Sequence, residues 1–128
     1  MRLLDSSVWI EYFANGQYTD VYAAAIRDVD HPLVSPINLY EVFRRVMQQR
    51  SEHEAYLAVA IMLDGRMLDI DGQLALEAVP LAQQYRLPLA DSILLATARA
   101  HDAQLITQDA HLRDIPGVLY YPKDGPEG

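Results

Sequence analysis

Four carboxylates, Asp5, Glu41, Asp91 and Asp109, stand in local settings that can bring them to one place. Asp5 follows the apolar pair Leu3-Leu4 and precedes Ser6-Ser7, after which Val8-Trp9-Ile10 opens an amphipathic segment. It therefore lies where a strand meets a helix, and open α/β sheets bind ligands beyond the carboxyl ends of their strands. Capping the helix is the ordinary use of an acid at such a point. Asp109 repeats the arrangement, three residues beyond the strand-like Ala103–Ile106 and after Thr107-Gln108. Glu41 sits in the second turn of a helix started by Ser35-Pro36, where pairing with Arg44 or Arg45 is its plainest role. Asp91 opens Leu87–Ala98, the most apolar helical stretch of the chain. A carboxylate there is costly unless it is paired or holds a cation.

Taken together, the acids imply chemistry that none implies alone. Two like charges about 4 Å apart repel by roughly 4 kcal/mol at an effective dielectric near 20, so four clustered carboxylates call for a cation or raised pKa values. A carboxylate-rich oxygen site suits Mg²⁺ or Mn²⁺. The chain has no cysteine, which excludes disulfides and thiolate zinc sites. The four histidines, His31, His53, His101 and His111, lack metal-ligand spacing, and His111 alone lies close enough to an acid of the set to touch a substrate.

The elements that must position these acids follow from patterning. Ser6 to about Ala14 reads as a helix ended by Asn15-Gly16, and Thr19 as the cap of a second helix to about Val29. Leu33-Val34 is a brief strand. Pro36 to Gln49 is an amphipathic helix burying Leu39, Val42, Phe43 and Val46. Ser51 and Glu54 form a capping box for a helix to Gly65. Met67–Ile70 is the next strand, and Asp71 caps a helix in which Pro80 invites a kink. Ala103–Ile106 and Val118–Tyr120 complete the strands. Strands alternating with helices imply a parallel sheet covered on both faces.

Bulk properties narrow the function. The 128 residues suit one domain, expected over 1–121, with a loose tail over 122–128. A net charge of −8 argues against coating nucleic acid through bulk electrostatics, which needs basic surface to release counterions. Local contact with phosphate is still open to Arg44, Arg45 and Arg50, whose forks suit phosphate oxygens. No signal-like or membrane-length apolar run occurs, so the expectation is a cytoplasmic protein without membrane contact.

In Leu4-Asp5-Ser6-Ser7-Val8-Trp9-Ile10, Ser35-Pro36-Ile37-Asn38-Leu39-Tyr40-Glu41-Val42, Leu89-Ala90-Asp91-Ser92 and Leu105-Ile106-Thr107-Gln108-Asp109-Ala110-His111-Leu112, then Ile115-Pro116-Gly117, the chain resembles the PIN-domain ribonucleases, and among them the VapC-type toxins of bacterial toxin–antitoxin pairs. The ordered set spans nearly the whole chain. The resemblance implies a three-layer α/β/α sandwich with a central, mostly parallel sheet of four to five strands. It makes Asp5, Glu41, Asp91 and Asp109 the acidic metal site, with Ser7 and Thr107 as supports. It further implies a Mg²⁺- or Mn²⁺-dependent endoribonuclease acting on single-stranded or looped RNA, a homodimer, and a cognate antitoxin. Asp5 and Asp91 are the expected direct ligands; Glu41 and Asp109 act through water or on the nucleophile's proton. The rival is a catalytically silent PIN-fold interaction or RNA-binding module. A haloacid-dehalogenase-type phosphatase fits worse, since Ser7 stands where its second aspartate belongs, and a receiver domain lacks its lysine.

Overall fold

Alternation along three short strands decides the layering. In the computed structural model, which describes residues 1–27 and 31–123, Leu3, Leu33 and Leu105 face one way and Leu4, Val34 and Ile106 the other. Each set is buried, so helices must cover both faces of the sheet.

The sheet contains β1 (Arg2–Leu4), β2 (Leu33–Val34), β3 (Arg66–Met67), β4 (Gln104–Thr107) and β5 (Val118–Tyr120), in the order β3-β2-β1-β4-β5. All pairings are parallel, with Leu3 beside both Leu33 and Leu105. One face carries α1 (Ser6–Phe13), α2 (Thr19–Ile26), α3 (Pro36–Gln49) and α4 (Glu52–Met62), whose Trp9, Tyr22, Val42, Ala55 and Met62 pack on Leu4, Val34 and Ile106. The other carries α5 (Gly72–Tyr85) and α6 (Leu89–Ala100), with Leu94, Leu95 and Ala98 against Leu3, Leu33 and Leu105. The result is the three-layer α/β/α sandwich, and its sheet is wholly parallel.

The chain leaves β1 toward β2 on one side and later returns to β4 on the other, so the strand order reverses beside β1. A crevice opens at such a switch point, at the strands' carboxyl ends. Asp5 follows β1 there, and Thr107 closes β4.

Several expectations shift in detail. β3 is Arg66–Met67 rather than Met67–Ile70, because its sole neighbour β2 is two residues long; the bond from Leu68 N to Val34 O is the last in the ladder. β4 starts and ends one residue later than expected. Tyr18, not Thr19, is the N-cap residue of α2, and Thr19 turns its hydroxyl back to the Gly16 carbonyl. The expected end of α2 near Val29 lies outside the described residues. Asn15 ends α1 in the left-handed region at φ 57°, as its Asn-Gly pair suggests. Ser51 caps α4 by accepting from Glu54 N, while the Glu54 carboxylate lies 3.6 Å from Arg50. α5 runs through Pro80 as one helix. Of the expected tail, 122–123 are described and 124–128 lie outside; the Gln17 amide donates to the Lys123 carbonyl at 3.0 Å. Among the described residues no helix is long and apolar enough to cross a membrane.

Candidate active site

Asp5 is pinned from three directions. Its backbone N–H continues the β1–β4 ladder to Ile106 O, and its Oδ1 caps α1 by accepting from Ser6 N at 2.8 Å. Its Oδ2 accepts from the hydroxyls of Ser7, at 2.9 Å, and Thr107, at 2.7 Å. Those hydroxyls also accept backbone bonds, Ser7 Oγ from Gln108 N and Thr107 Oγ1 from Asp109 N. The cap role and the site role thus coexist, and Ser7 and Thr107 tie the end of β1 to the end of β4.

Glu41 reaches the same place from α3. Ser35 caps this helix by a reciprocal box with Asn38. Asn38, fully buried, donates onward to Ser6 Oγ at 3.1 Å, and Ser6 donates to Glu41 Oε1 at 2.7 Å. Asp91 comes from the first turn of α6, which is buried along most of its length. Asp109 caps the 3-10 turn Ala110–Leu112, its Oδ1 accepting from His111 N at 2.9 Å and lying 2.8 Å from His111 Nδ1.

The four acids line one cleft of about 540 Å³, with Arg44 and Arg45 on its rim. Their crowding shows in their acidity. Burial raises Asp5 despite its three hydrogen bonds, and raises Glu41 against the Ser6 hydroxyl. Burial, then the charge of Asp109 and the hydrogen bond shared with it, lift Asp91 to about 7. Asp109 is held below the ordinary carboxylate range: burial opposes this, but the His111 N–H, the bond with Asp91 and the His111 ring prevail.

Among the described residues the only ion-pair partner of the four acids is His111. Among the described residues no arginine pairs with them, and Arg44 and Arg45 are exposed and make no ion pair there. A divalent cation fits this setting, since it supplies the missing positive charge and accepts the available carboxylate oxygens. The tightest grouping of ligand atoms is Asp91, Asp109 and His111, one atom each within 4.8 Å of the others. Asp5 lies outside that grouping, with Oδ1 accepting only from Ser6 N and so keeping a lone pair for a cation.

Sequence reasoning left out four contributors. Ser6 and Asn38 act through side-chain contacts set by the packing of α1 on α3, which no local pattern announces. Glu11 and the buried Gln108 also line the cleft, and Glu11 Oε2 and Gln108 Nε2 are each buried without a hydrogen-bond partner among the described residues. Both were hidden as ordinary helix and loop residues.

The PIN domain family model matches residues 2–118, and the chain belongs to that family. Similar solved structures include a toxin–antitoxin complex from Klebsiella pneumoniae, 28% identical with TM-score 0.78, covering 95% of this chain and 99% of that one. A DNA-bound VapBC from Salmonella typhimurium is 16% identical with TM-score 0.74, covering 94% and 96%. The sarcin–ricin loop cleaving toxin VapC20 of Mycobacterium tuberculosis is 16% identical with TM-score 0.69, covering 81% and 85%. At that identity the last two share the fold alone. A comparison with curated protein sequences gives no match.

Proposed function

We propose that this chain is a Mg²⁺- or Mn²⁺-dependent endoribonuclease, the toxin of a toxin–antitoxin pair, that hydrolyses phosphodiester bonds in single-stranded or looped RNA. The observation that carries the reading is the convergence of Asp5, Glu41, Asp91 and Asp109 on one cleft at the switch point of a PIN-family sheet. Likeness to a toxin–antitoxin complex at 28% identity supports the biological role.

Asp5, Asp91 and Asp109 would hold the cation, with Glu41 adding charge and ordering its waters. When bound, a divalent cation lowers the pKa of a coordinated water and stabilises charge developing on a phosphate. Glu41, fixed through Oε1 by Ser6, has Oε2 left to accept the proton of an attacking water. Ser7 and Thr107 hold Asp5 in one orientation and keep both strand ends in register. Arg44 and Arg45, unpaired on the rim, bind phosphates flanking the scissile bond. In a chain of net charge −8, they place the attraction for RNA beside the chemistry.

An apolar groove between α1, α3 and α4, lined by Phe13, Val46, Leu57 and Ile61, adjoins the cleft through Ile10 and Arg45. Leu57 is 54% and Ile61 42% exposed, and this is where we place the antitoxin segment. Exposed Leu76, Val79 and Leu89 on α5 and α6 are our choice for the homodimer surface.

The test is incubation of partner-free protein with end-labelled tRNA fragments, rRNA loop fragments and matched DNA, with Mg²⁺, Mn²⁺ or EDTA. Discrete RNA cuts that require a cation are expected. Cleavage in EDTA refutes the cation dependence, and no cleavage of any substrate with either cation refutes the nuclease reading and leaves the silent module.

A further inference from the structure

The acids of the cleft do not offer equivalent ligand atoms. Asp5 accepts on both oxygens and Glu41 Oε1 is held by Ser6, whereas Asp91, Asp109 and His111 each bring one ligand atom within 4.8 Å of the others. His111 stands immediately beside Asp109. Its backbone N–H and its Nδ1 both address Asp109 Oδ1, so the turn Ala110–Leu112 fixes the ring next to the carboxylate.

We infer that His111 supplies a ring nitrogen to the cation held by Asp91 and Asp109, giving the site a mixed oxygen and nitrogen donor set that prefers Mn²⁺ to Mg²⁺. The inference rests on the cation-dependent reading above. Two ligands in adjacent octahedral positions about 2.1 Å from a metal are about 3 Å apart; the 2.8 Å hydrogen bond between Nδ1 and Oδ1 holds the two atoms near that spacing, and a cation taken by Nδ1 would displace the bridging proton to solvent. The ring is exposed, its side chain 66% accessible, so no packing opposes a small rotation toward a cation. Mg²⁺ is hard and binds oxygen almost exclusively, whereas imidazole is accepted increasingly along the first-row divalent series that begins with Mn²⁺. A histidine that only oriented Asp109 through hydrogen bonds would not discriminate between the two metals in this way.

The test uses the full chain stripped of metal. Calorimetric titration with Mn²⁺ and with Mg²⁺ is compared between the native protein and His111→Ala, and pulsed electron paramagnetic resonance of the Mn²⁺-loaded samples reads coupling to a directly bound nitrogen. Circular dichroism checks that the variant keeps its fold, as the exposure of His111 leads one to expect. The proposal expects nitrogen coupling in the native protein that vanishes in His111→Ala. It also expects the ratio of Mn²⁺ to Mg²⁺ affinity to fall by about tenfold, the lower end of what metal-site partners contribute. Mn²⁺ bound without nitrogen coupling, or an unchanged affinity ratio, overturns the role of His111 and leaves the carboxylate site standing. Failure of either cation to bind overturns both.

Discussion

Replacing Asp91 with Asn should stabilise the cation-free protein at pH 8 and leave it nearly unchanged at pH 4. Burial, Asp109 and Asp5 raise this carboxyl from 3.8 to about 7 in the folded chain. In the unfolded chain it ionises near the ordinary value of about 3.9. A group raised on folding gives its full contribution below the unfolded value, and the contribution disappears as pH climbs through the folded one. Between about pH 4 and 7, therefore, Asp91 progressively destabilises the fold. At 1.36 kcal/mol per unit the shift sets a ceiling of roughly 4 kcal/mol, and water entering the open cleft reduces this to about 1–2 kcal/mol. Asn keeps a donor for Asp109 while removing the charge. For a domain of this size the gain corresponds to a Tm increase of about 5 °C. Thermal melts in EDTA at pH 4 and pH 8 measure the difference. Native protein and variant melting together at pH 8, or a variant that is less stable there, would refute the reasoning. Saturating Mn²⁺ should reverse the order, since a cation present at 100 times its Kd adds about 2.7 kcal/mol to a protein that binds it.

Thr107→Val removes a buried hydroxyl that donates to Asp5 and accepts from Asp109 N; a loss of about 1–3 kcal/mol is expected in denaturant titration, with cleavage reduced at least tenfold. Arg44→Ala combined with Arg45→Ala should leave the melting temperature within about 2 °C while weakening RNA binding, and should flatten the salt dependence of that binding by about two phosphate contacts. Leu57→Glu should abolish association with the antitoxin in a pull-down without changing RNA cleavage, because Leu57 lies in the apolar groove and not in the cleft. Gly16→Ala should destabilise the fold, since an added Cβ would collide with the Glu11 side chain; an unchanged melting temperature contradicts that packing.

The fold was legible where local pattern and tertiary demand agree. Leu3-Leu4, Leu33-Val34 and Leu105-Ile106 are consecutive apolar residues, which is what a strand buried on both faces requires. Ser35-Pro36 and Asp71 start helices by side-chain chemistry confined to a few residues. The end of β3 was not legible, because it depends on the length of its partner. Within the site, the placing of Asp5 and Asp109 at strand ends could be read directly, and Asp91 stood out as an acid in an apolar helix. The Asn38–Ser6–Glu41 chain links residues up to 35 positions apart, and only the approach of α1 to α3 creates it. His111 was partly legible, since its distance from Asp109 is two residues, but the turn that directs its ring to the carboxylate was not.

The most direct test of the account is single-turnover RNA cleavage with Mn²⁺ by Asp5→Asn, Glu41→Gln, Asp91→Asn and Asp109→Asn, each first shown to be folded. Asparagine at position 5 can still cap α1, so loss of activity there reports on charge rather than on folding. The account predicts that all four lose at least a hundredfold in rate while melting cooperatively. Native-like cleavage by any one of them would contradict its assignment, and native-like cleavage by all four would place the chemistry elsewhere on the molecule.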